Sequence, residues 1–127
     1  MYQDLITKIR NAQQAKKEFI KVPYSGMDFA VAEILAKNNY IENVAKKGRL
    51  PKRIIEIKIK YDKDGSGVIN GTKFLSVPSR HLYAGYQKLR PVKQGHGLGV
   101  ISTSKGLRTN TEARKQKVGG ELLFEIW

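Results

Sequence analysis

The sequence has no cysteine and only two histidines, His81 and His96. It therefore cannot form disulfides or thiolate metal sites, and the two histidines have no partners at metal-ligand spacing. No apolar run approaches the roughly 20 residues of a membrane-spanning helix, and the amino terminus lacks the apolar core of a signal peptide. These absences predict a cytoplasmic protein in a reducing compartment, without a metal, another cofactor or a membrane partner.

Acidic residues are missing from a long central stretch of the sequence. None occurs between Asp64 and Glu112. The basic residues in this stretch are Lys73, Arg80, Lys88, Arg90, Lys93, Lys105 and Arg108. Over the whole chain, 24 Lys and Arg stand against 11 Asp and Glu, which gives a formal charge of +13. This balance predicts a polyanionic partner, and nucleic acid fits it better than a membrane surface.

The sequence does have enough apolar residues for a folded core, since they make up 40% of its 127 residues. This length allows one ordinary domain or two small lobes. The apolar spacing in DLITKIRNAQQAKK and DFAVAEILAKNN predicts two amphipathic helices. EFIKV, YIENVAKKG and RIIEIKIKY are typical of strands, the last because Ile55, Ile57 and Ile59 alternate with charged residues. A further strand, VINGTKFLSV, follows the turn DKDGSG.

The composition changes around Pro78, in the segment SVPSR. We therefore predict an α+β protein of two lobes: an N-terminal αβαβββ lobe over residues 1–76 and a C-terminal β-rich lobe with one short helix over residues 77–127. The strands expected in the second lobe are HLYAGYQKL, LGVIST and ELLFEIW. The segment TNTEARKQK predicts the helix, with Thr109 or Asn110 as its N-cap.

A run of three hydroxyl side chains marks the segment GLGVISTSKGLRTN, where Ser102, Thr103 and Ser104 precede Lys105 and Gly106. Short hydroxyl groups donate and accept hydrogen bonds, so a loop of them can bind phosphate oxygens, 2′-hydroxyls and base edges. The glycine would let the backbone approach a ligand closely, and the lysine would attract phosphates. RNA fits better than DNA, because its shallow minor groove and bulged bases are recognised by shape, 2′-hydroxyl contacts and stacking.

Other interpretations of this segment stay open. Tyr83 and Tyr86 can act as stacking platforms for bases. Alternatively, the hydroxyl run forms a structural turn and the two tyrosines belong to the core. Ser102 and Lys105 also fit the S-x-x-K motif of penicillin-binding enzymes, but the companion motifs S-D-N and K-T-G are absent and the chain is too short for that fold. A small hydrolase is therefore the weakest of these hypotheses.

The segment GLGVISTSKGLRTNTEARKQKVGGELL resembles the carboxy-terminal signature of a ribosomal protein family, the bacterial form of the eighth protein of the small subunit. DLITKIRNAQ resembles the amino-terminal helix of the same family, and the similarity covers essentially the whole chain. The resemblance implies the two-lobe fold, no enzymatic activity, and early binding to the central domain of the small-subunit ribosomal RNA. It also implies neighbouring small-subunit proteins as partners, with the fifth as a candidate, and the messenger of the protein's own operon, which some members repress.

The resemblance also assigns roles to individual residues. It places the hydroxyl run and the lysine and glycine after it in a loop that recognises a distorted, bulged RNA helix. Tyr86 matches the family tyrosine of the connecting segment, and Gly120 and Glu121 match positions near the same RNA surface. Together with basic residues of the acid-free stretch, the expected RNA-binding residues are Ser102, Thr103, Ser104, Lys105, Gly106, Arg108, Tyr86, Arg80, Lys93, Gly120 and Glu121.

The sequence departs from the family pattern at several positions. Gly26 and Asp28 stand where the family often has lysines before the second helix, which weakens the case for a phosphate contact there. Arg80, His81 and Leu82 replace an arginine-proline-glycine turn. Arg108 replaces a methionine and would add a phosphate contact if it faces RNA. A free-standing RNA-binding regulator of translation stays the alternative function.

Overall fold

The computed structural model describes residues 2–49, 52–76, 79–90, 92 and 97–127. Its contacts divide the chain into two compact units, one up to Val68 and one from Ile69 onward. Each unit combines helical segments with an antiparallel sheet, which confirms the predicted two-lobe α+β fold. The division falls earlier than the boundary that the sequence predicts after residue 76.

The first unit packs two helices against a three-stranded sheet. Its elements are α1 (Tyr2–Gln14), β1 (Phe19–Pro23), α2 (Gly26–Lys37), β2 (Ile41–Lys47) and β3 (Ile54–Ile59). Strand β3 lies between β1 and β2 and is antiparallel to both. Successive side chains of a strand point to opposite faces, so Ile55, Ile57 and Ile59 all enter the core. This is the alternation that the sequence predicts.

The two helices of the first unit show a buried apolar face and a capped first turn. Helix α1 buries the predicted apolar stripe, which consists of Leu5, Ile6, Ile9 and Ala12. Helix α2 has Ser25 as its N-cap, because Ser25 Oγ accepts a hydrogen bond from the backbone N–H of Asp28 at 3.1 Å. Beyond its end, Asn39 adopts a left-handed conformation with a φ of 66°, which asparagine tolerates better than most residues.

The second unit is a five-stranded antiparallel sheet with one helix. Its elements are β4 (Thr72–Phe74), β5 (Tyr83–Ala84), β6 (Leu98–Thr103), β7 (Gly106–Thr109), α3 (Asn110–Gln116) and β8 (Gly120–Ile126), with a 3₁₀ turn at Tyr86–Lys88. Strand β8 pairs with β6 on one side and with β4 and β5 on the other, and β7 lies beyond β6. Thr109 caps α3 as predicted, since its Oγ1 accepts from the N–H of Glu112 at 3.1 Å.

Strand β4 lies in the second unit. The predicted order αβαβββ is observed along the chain, but its last strand pairs with β8, with Phe74 opposite Phe124. The end of the chain holds this pairing, because the N–H groups of Asn70 and Gly71 both donate to the carbonyl of Trp127, at 2.6 and 3.0 Å. The division between the units therefore precedes β4.

Two consecutive glycines bring β8 into its sheet. A Cβ atom at Gly120 would overlap the carbonyl oxygen of Ser102, and a Cβ at Gly119 would lie 2.5 Å from the carbonyl oxygen of Ala84. Only glycine permits so close an approach between neighbouring backbones. The position of β8 beside the hydroxyl-bearing end of β6 therefore depends on Gly120, which has no side chain.

Replacing Gly120 by Ala should destabilise the protein by about 1 to 3 kcal/mol, the usual cost of forcing an extra carbon into a packed position. Gly85→Ala is the matched control, because a Cβ there meets nothing within 4 Å and the φ of −75° suits alanine. Urea unfolding of both variants measures the difference. Equal free energies of unfolding would show that the close approach of β8 to β6 is not a constraint.

Candidate nucleic-acid interface

The hydroxyl run lies at the end of a β-hairpin. Thr103 at the end of β6 pairs with Gly106 at the start of β7, so Ser104 and Lys105 form a two-residue bend, and both are exposed. Gly106 has a φ of 103°, in the region that L side chains rarely adopt. The bend therefore depends on glycine at this position, and it presents one hydroxyl and one ammonium group to solvent.

The three hydroxyl groups differ in what they contact. Thr103 Oγ1 donates to the carbonyl oxygen of Gly106 at 2.7 Å and accepts from the backbone N–H of Lys105 at 3.1 Å. Its hydrogen is thus used inside the hairpin, where it fixes the geometry of the bend. Ser104, in contrast, lies at the tip and is exposed. The predicted loop therefore contains one bracing hydroxyl and one that faces solvent.

Ser102 belongs to a different part of the same surface. It pairs with Glu121 of β8, which in turn pairs with Tyr83 of β5. Residues directly opposite each other in antiparallel strands lie on the same face of the sheet, so these three side chains form one row across it. His81 Nδ1 contacts Glu121 Oε2 at 2.8 Å. The row therefore combines a hydroxyl, a half-buried carboxylate held by an imidazole, and an aromatic ring.

The two tyrosines that the sequence proposes as stacking platforms are placed differently. Tyr83 is 71% exposed. Tyr86 lies in the 3₁₀ turn and packs against the buried cluster of Leu89, Ile101 and Ala113. Tyr83, which the expected set of RNA-binding residues omits, is therefore the more exposed of the two rings. The neighbours in the sequence give no sign of this difference, because Tyr83 lies between the apolar residues Leu82 and Ala84 and is nevertheless the more exposed of the two.

The basic residues of the expected set are also placed differently. Arg80 is exposed, and Lys105 lies at the bend. Arg108 is half-buried: its Nε donates to Gln116 Oε1 at 3.2 Å and its Nη1 donates to the carbonyl of Leu107 at 2.8 Å. The guanidinium is therefore oriented by α3 and keeps further donors free of these two bonds. Lys93 lies outside the described residues.

A groove of about 420 Å³ in the same unit carries positive charge that the expected set misses. It is lined by Leu89, Arg90, Asn110, Thr111, Arg114 and Lys115. Asn110 Nδ2 donates to the carbonyl of Arg90 at 2.9 Å, which joins the start of α3 to the segment after the 3₁₀ turn. The signal available in the sequence was the position of Arg114 and Lys115 in the predicted short helix, a few residues after its N-cap.

Neither a metal cluster nor a membrane span is found in the part of the chain that the structure describes. No three His, Asp or Glu side chains come together there in an arrangement that could hold a metal ion. None of its helices has the length and apolarity needed to cross a membrane.

A hairpin that presents hydroxyl groups and a lysine beside an exposed tyrosine, on a two-lobe α+β fold, has the features expected of a nucleic-acid-binding protein. The sequence model of the family described as Ribosomal protein S8 matches residues 1–127. The chain therefore belongs to the ribosomal protein S8 family.

Individual relatives agree with this assignment. Proteins named small ribosomal subunit protein uS8 from Caldicellulosiruptor bescii, Rubrobacter xylanophilus and Treponema pallidum are 40%, 39% and 41% identical to the chain. Each alignment covers 98% of this chain and 94% of the relative. Membership of this family confirms the expectation of a structural ribosomal protein of the small subunit that is not an enzyme.

Replacing Thr103 by Val should loosen the bend, because valine keeps the shape of threonine but neither donates to Gly106 nor accepts from Lys105. The expected loss of stability is about 0.5 to 1.5 kcal/mol for each hydrogen bond. Hydrogen exchange of the Lys105 amide should become faster than in the wild type. Thr103→Ser is the control, since it retains the hydroxyl. An unchanged exchange rate in the valine variant would contradict the bracing role.

Proposed function

We propose that this protein binds the central domain of the small-subunit ribosomal RNA through the β6–β7 hairpin and helps that domain to assemble. The observation that carries the proposal is the braced bend, in which the hydroxyl of Thr103 is satisfied internally while Ser104 and Lys105 face solvent. A recognition loop held in its bound shape loses little conformational entropy on binding, so more of the contact energy appears as affinity.

The surface beside the bend suits an irregular RNA helix. Ser102 and Glu121 can bond base edges and 2′-hydroxyl groups, and the ring of Tyr83 can stack on a base that leaves the helix. An ionised carboxylate such as that of Glu121 can accept hydrogen bonds but cannot donate them, so it selects ligand groups that donate, such as a 2′-hydroxyl or an exocyclic amine. The contact of its carboxylate with His81 at 2.8 Å fixes its direction.

The basic residues supply attraction at longer range. Lys105 and Arg80 are exposed, and the sequence adds Lys93 and Arg108 to the same acid-free stretch. Contacts of this kind position the protein on the phosphates but carry little sequence information. Specificity therefore comes from the hydroxyl groups and the tyrosine, and speed of association from the cations.

The hairpin surface would also serve one of the other partners that the family resemblance implies. A messenger from the protein's own operon would be recognised if it folded into the shape that the hairpin binds on ribosomal RNA. The protein would then repress translation by the same contacts. Neighbouring small-subunit proteins, with the fifth as the candidate, would bind surfaces that the RNA leaves free.

Replacing Ser104 by Ala should weaken binding to a central-domain RNA fragment by about 1 to 3 kcal/mol, because a donor or acceptor of the RNA loses its partner. Binding to a scrambled duplex should change little. Ser66→Ala, an exposed serine of the first unit, is the matched control. Filter binding at constant salt measures both RNAs. Equal losses on the two RNAs would refute recognition by this hydroxyl.

Replacing Lys105 by Ala should lower the affinity for RNA without changing the preference for the central-domain fragment. Binding to both RNAs should weaken by similar factors, and the slope of log affinity against log salt should fall by about 1. A salt series from low to physiological ionic strength measures the slope. If the variant lost affinity only for the central-domain fragment, Lys105 would contact a base rather than a phosphate.

A further inference from the structure

The first unit carries an exposed aromatic ring that the proposed function does not use. Phe19, at the start of β1, is 46% exposed; Phe19 and Tyr83 are the two exposed large hydrophobic residues of the described part of the chain. The alternation of β1 explains the exposure: Val22 turns into the core at 4% exposure, and residues 19 and 21 turn outward. The ring is therefore held on a strand and does not belong to a flexible loop.

One lysine lies over this ring and another projects from the same strand face. Lys58 of β3 is directly opposite Phe19, and its Nζ lies 5.9 Å from the centre of the ring. Lys21 lies on the same outward face. The residue opposite Lys21 is Glu56, whose carboxylate is engaged by Lys47 Nζ at 2.9 Å. The aromatic ring thus lies in a positive environment in which the facing carboxylate already has a partner.

A groove of about 650 Å³ opens beside Phe19, between α1 and β1. Its lining contains three lysines, Lys8, Lys17 and Lys21, together with Asn11, and it includes no carboxylate. A volume between about 300 and 1,000 Å³ is usual for sites that bind a small organic molecule. The groove is therefore large enough for a nucleotide and has the charge that a phosphate requires.

We propose that this surface, formed by Phe19 with Lys17, Lys21 and Lys58, is a second RNA contact that takes one unpaired nucleotide. The base stacks on the ring of Phe19, and the phosphates on either side of it lie against the lysines. An aromatic ring in a basic groove is the common arrangement for binding single-stranded nucleic acid, and it accepts any base because every base has a flat face.

The edge of β1 argues for RNA over an acidic protein segment. Strand β1 pairs only with β3 among the described strands, so its other edge could in principle accept an added strand. The N–H of Tyr24 donates to the carbonyl of Arg53, and the carbonyl of Glu18 accepts from the N–H of Ile59 in β3. The backbone groups of successive residues in an antiparallel strand point to opposite edges. Those of residues 19, 21 and 23 therefore point to the open edge. Pro23 has no N–H to offer there, and a lysine on the edge also discourages strand addition.

The test uses the full chain labelled with 3-fluorophenylalanine and a uridine octanucleotide. The ¹⁹F resonance of Phe19, identified by its loss in Phe19→Leu, should shift on titration, whereas that of the buried Phe124 should not. Lys17→Ala and Lys21→Ala should each raise the dissociation constant read from Phe19 and lower its salt slope by about 0.7, the value for one phosphate on a single strand. Lys63→Ala, an exposed lysine outside the groove, should change neither.

The hairpin surface serves as an internal control. Ser104→Ala should leave the titration seen at Phe19 unchanged, so a failure of the proposed function and a failure of this inference give different results. A Phe19 resonance that does not move at saturating oligonucleotide would overturn the second RNA contact. So would a resonance that responds to a glutamate-rich peptide and not to RNA, because the surface would then bind protein.

Discussion

The pairing of β8 with β6 is the constraint on which the rest of the second unit depends. Gly120 allows the two backbones to approach at Ser102, where any side chain would overlap the carbonyl oxygen. This contact fixes the register, and the register places Glu121 beside Ser102 and opposite Tyr83. The double glycine is therefore a support of the candidate surface: it holds the strands that present the surface and offers no side chain to a ligand.

Local patterns in the sequence predicted the parts of the fold that local interactions determine. The alternation of β3, the apolar stripe of α1 and the N-cap of α3 at Thr109 each involve residues within a few positions of one another. The partner of β4 could not be predicted in this way, because its three residues pair with a strand about fifty positions later. Strand β7 was not predicted either, since GLRT becomes a strand only through its hairpin with β6.

The hydrogen bonds and exposure of single side chains in the candidate site could not be predicted from local sequence patterns either. The run of hydroxyl residues and the basic residues around it were evident in the sequence. Which of the hydroxyl groups bonds within the hairpin and which faces solvent was not. Thr103 uses its hydroxyl within the hairpin because the bend brings the Gly106 carbonyl to 2.7 Å, a distance that depends on the left-handed glycine. Tyr86 is less exposed than Tyr83 because it packs against the buried cluster of Leu89, Ile101 and Ala113.

Exposure alone would not distinguish Phe19 and Tyr83, because single apolar side chains are common on protein surfaces. Their surroundings do distinguish them. Each ring is held by a strand, and each stands opposite a charged residue, Lys58 in the first unit and Glu121 in the second. A strand fixes the face of the sheet on which a side chain projects, and a charged neighbour makes the surface around the ring polar. In a chain of charge +13, the ligand that can use both a fixed ring and the cations near it is a polyanion with flat faces, which describes a single-stranded or bulged nucleic acid.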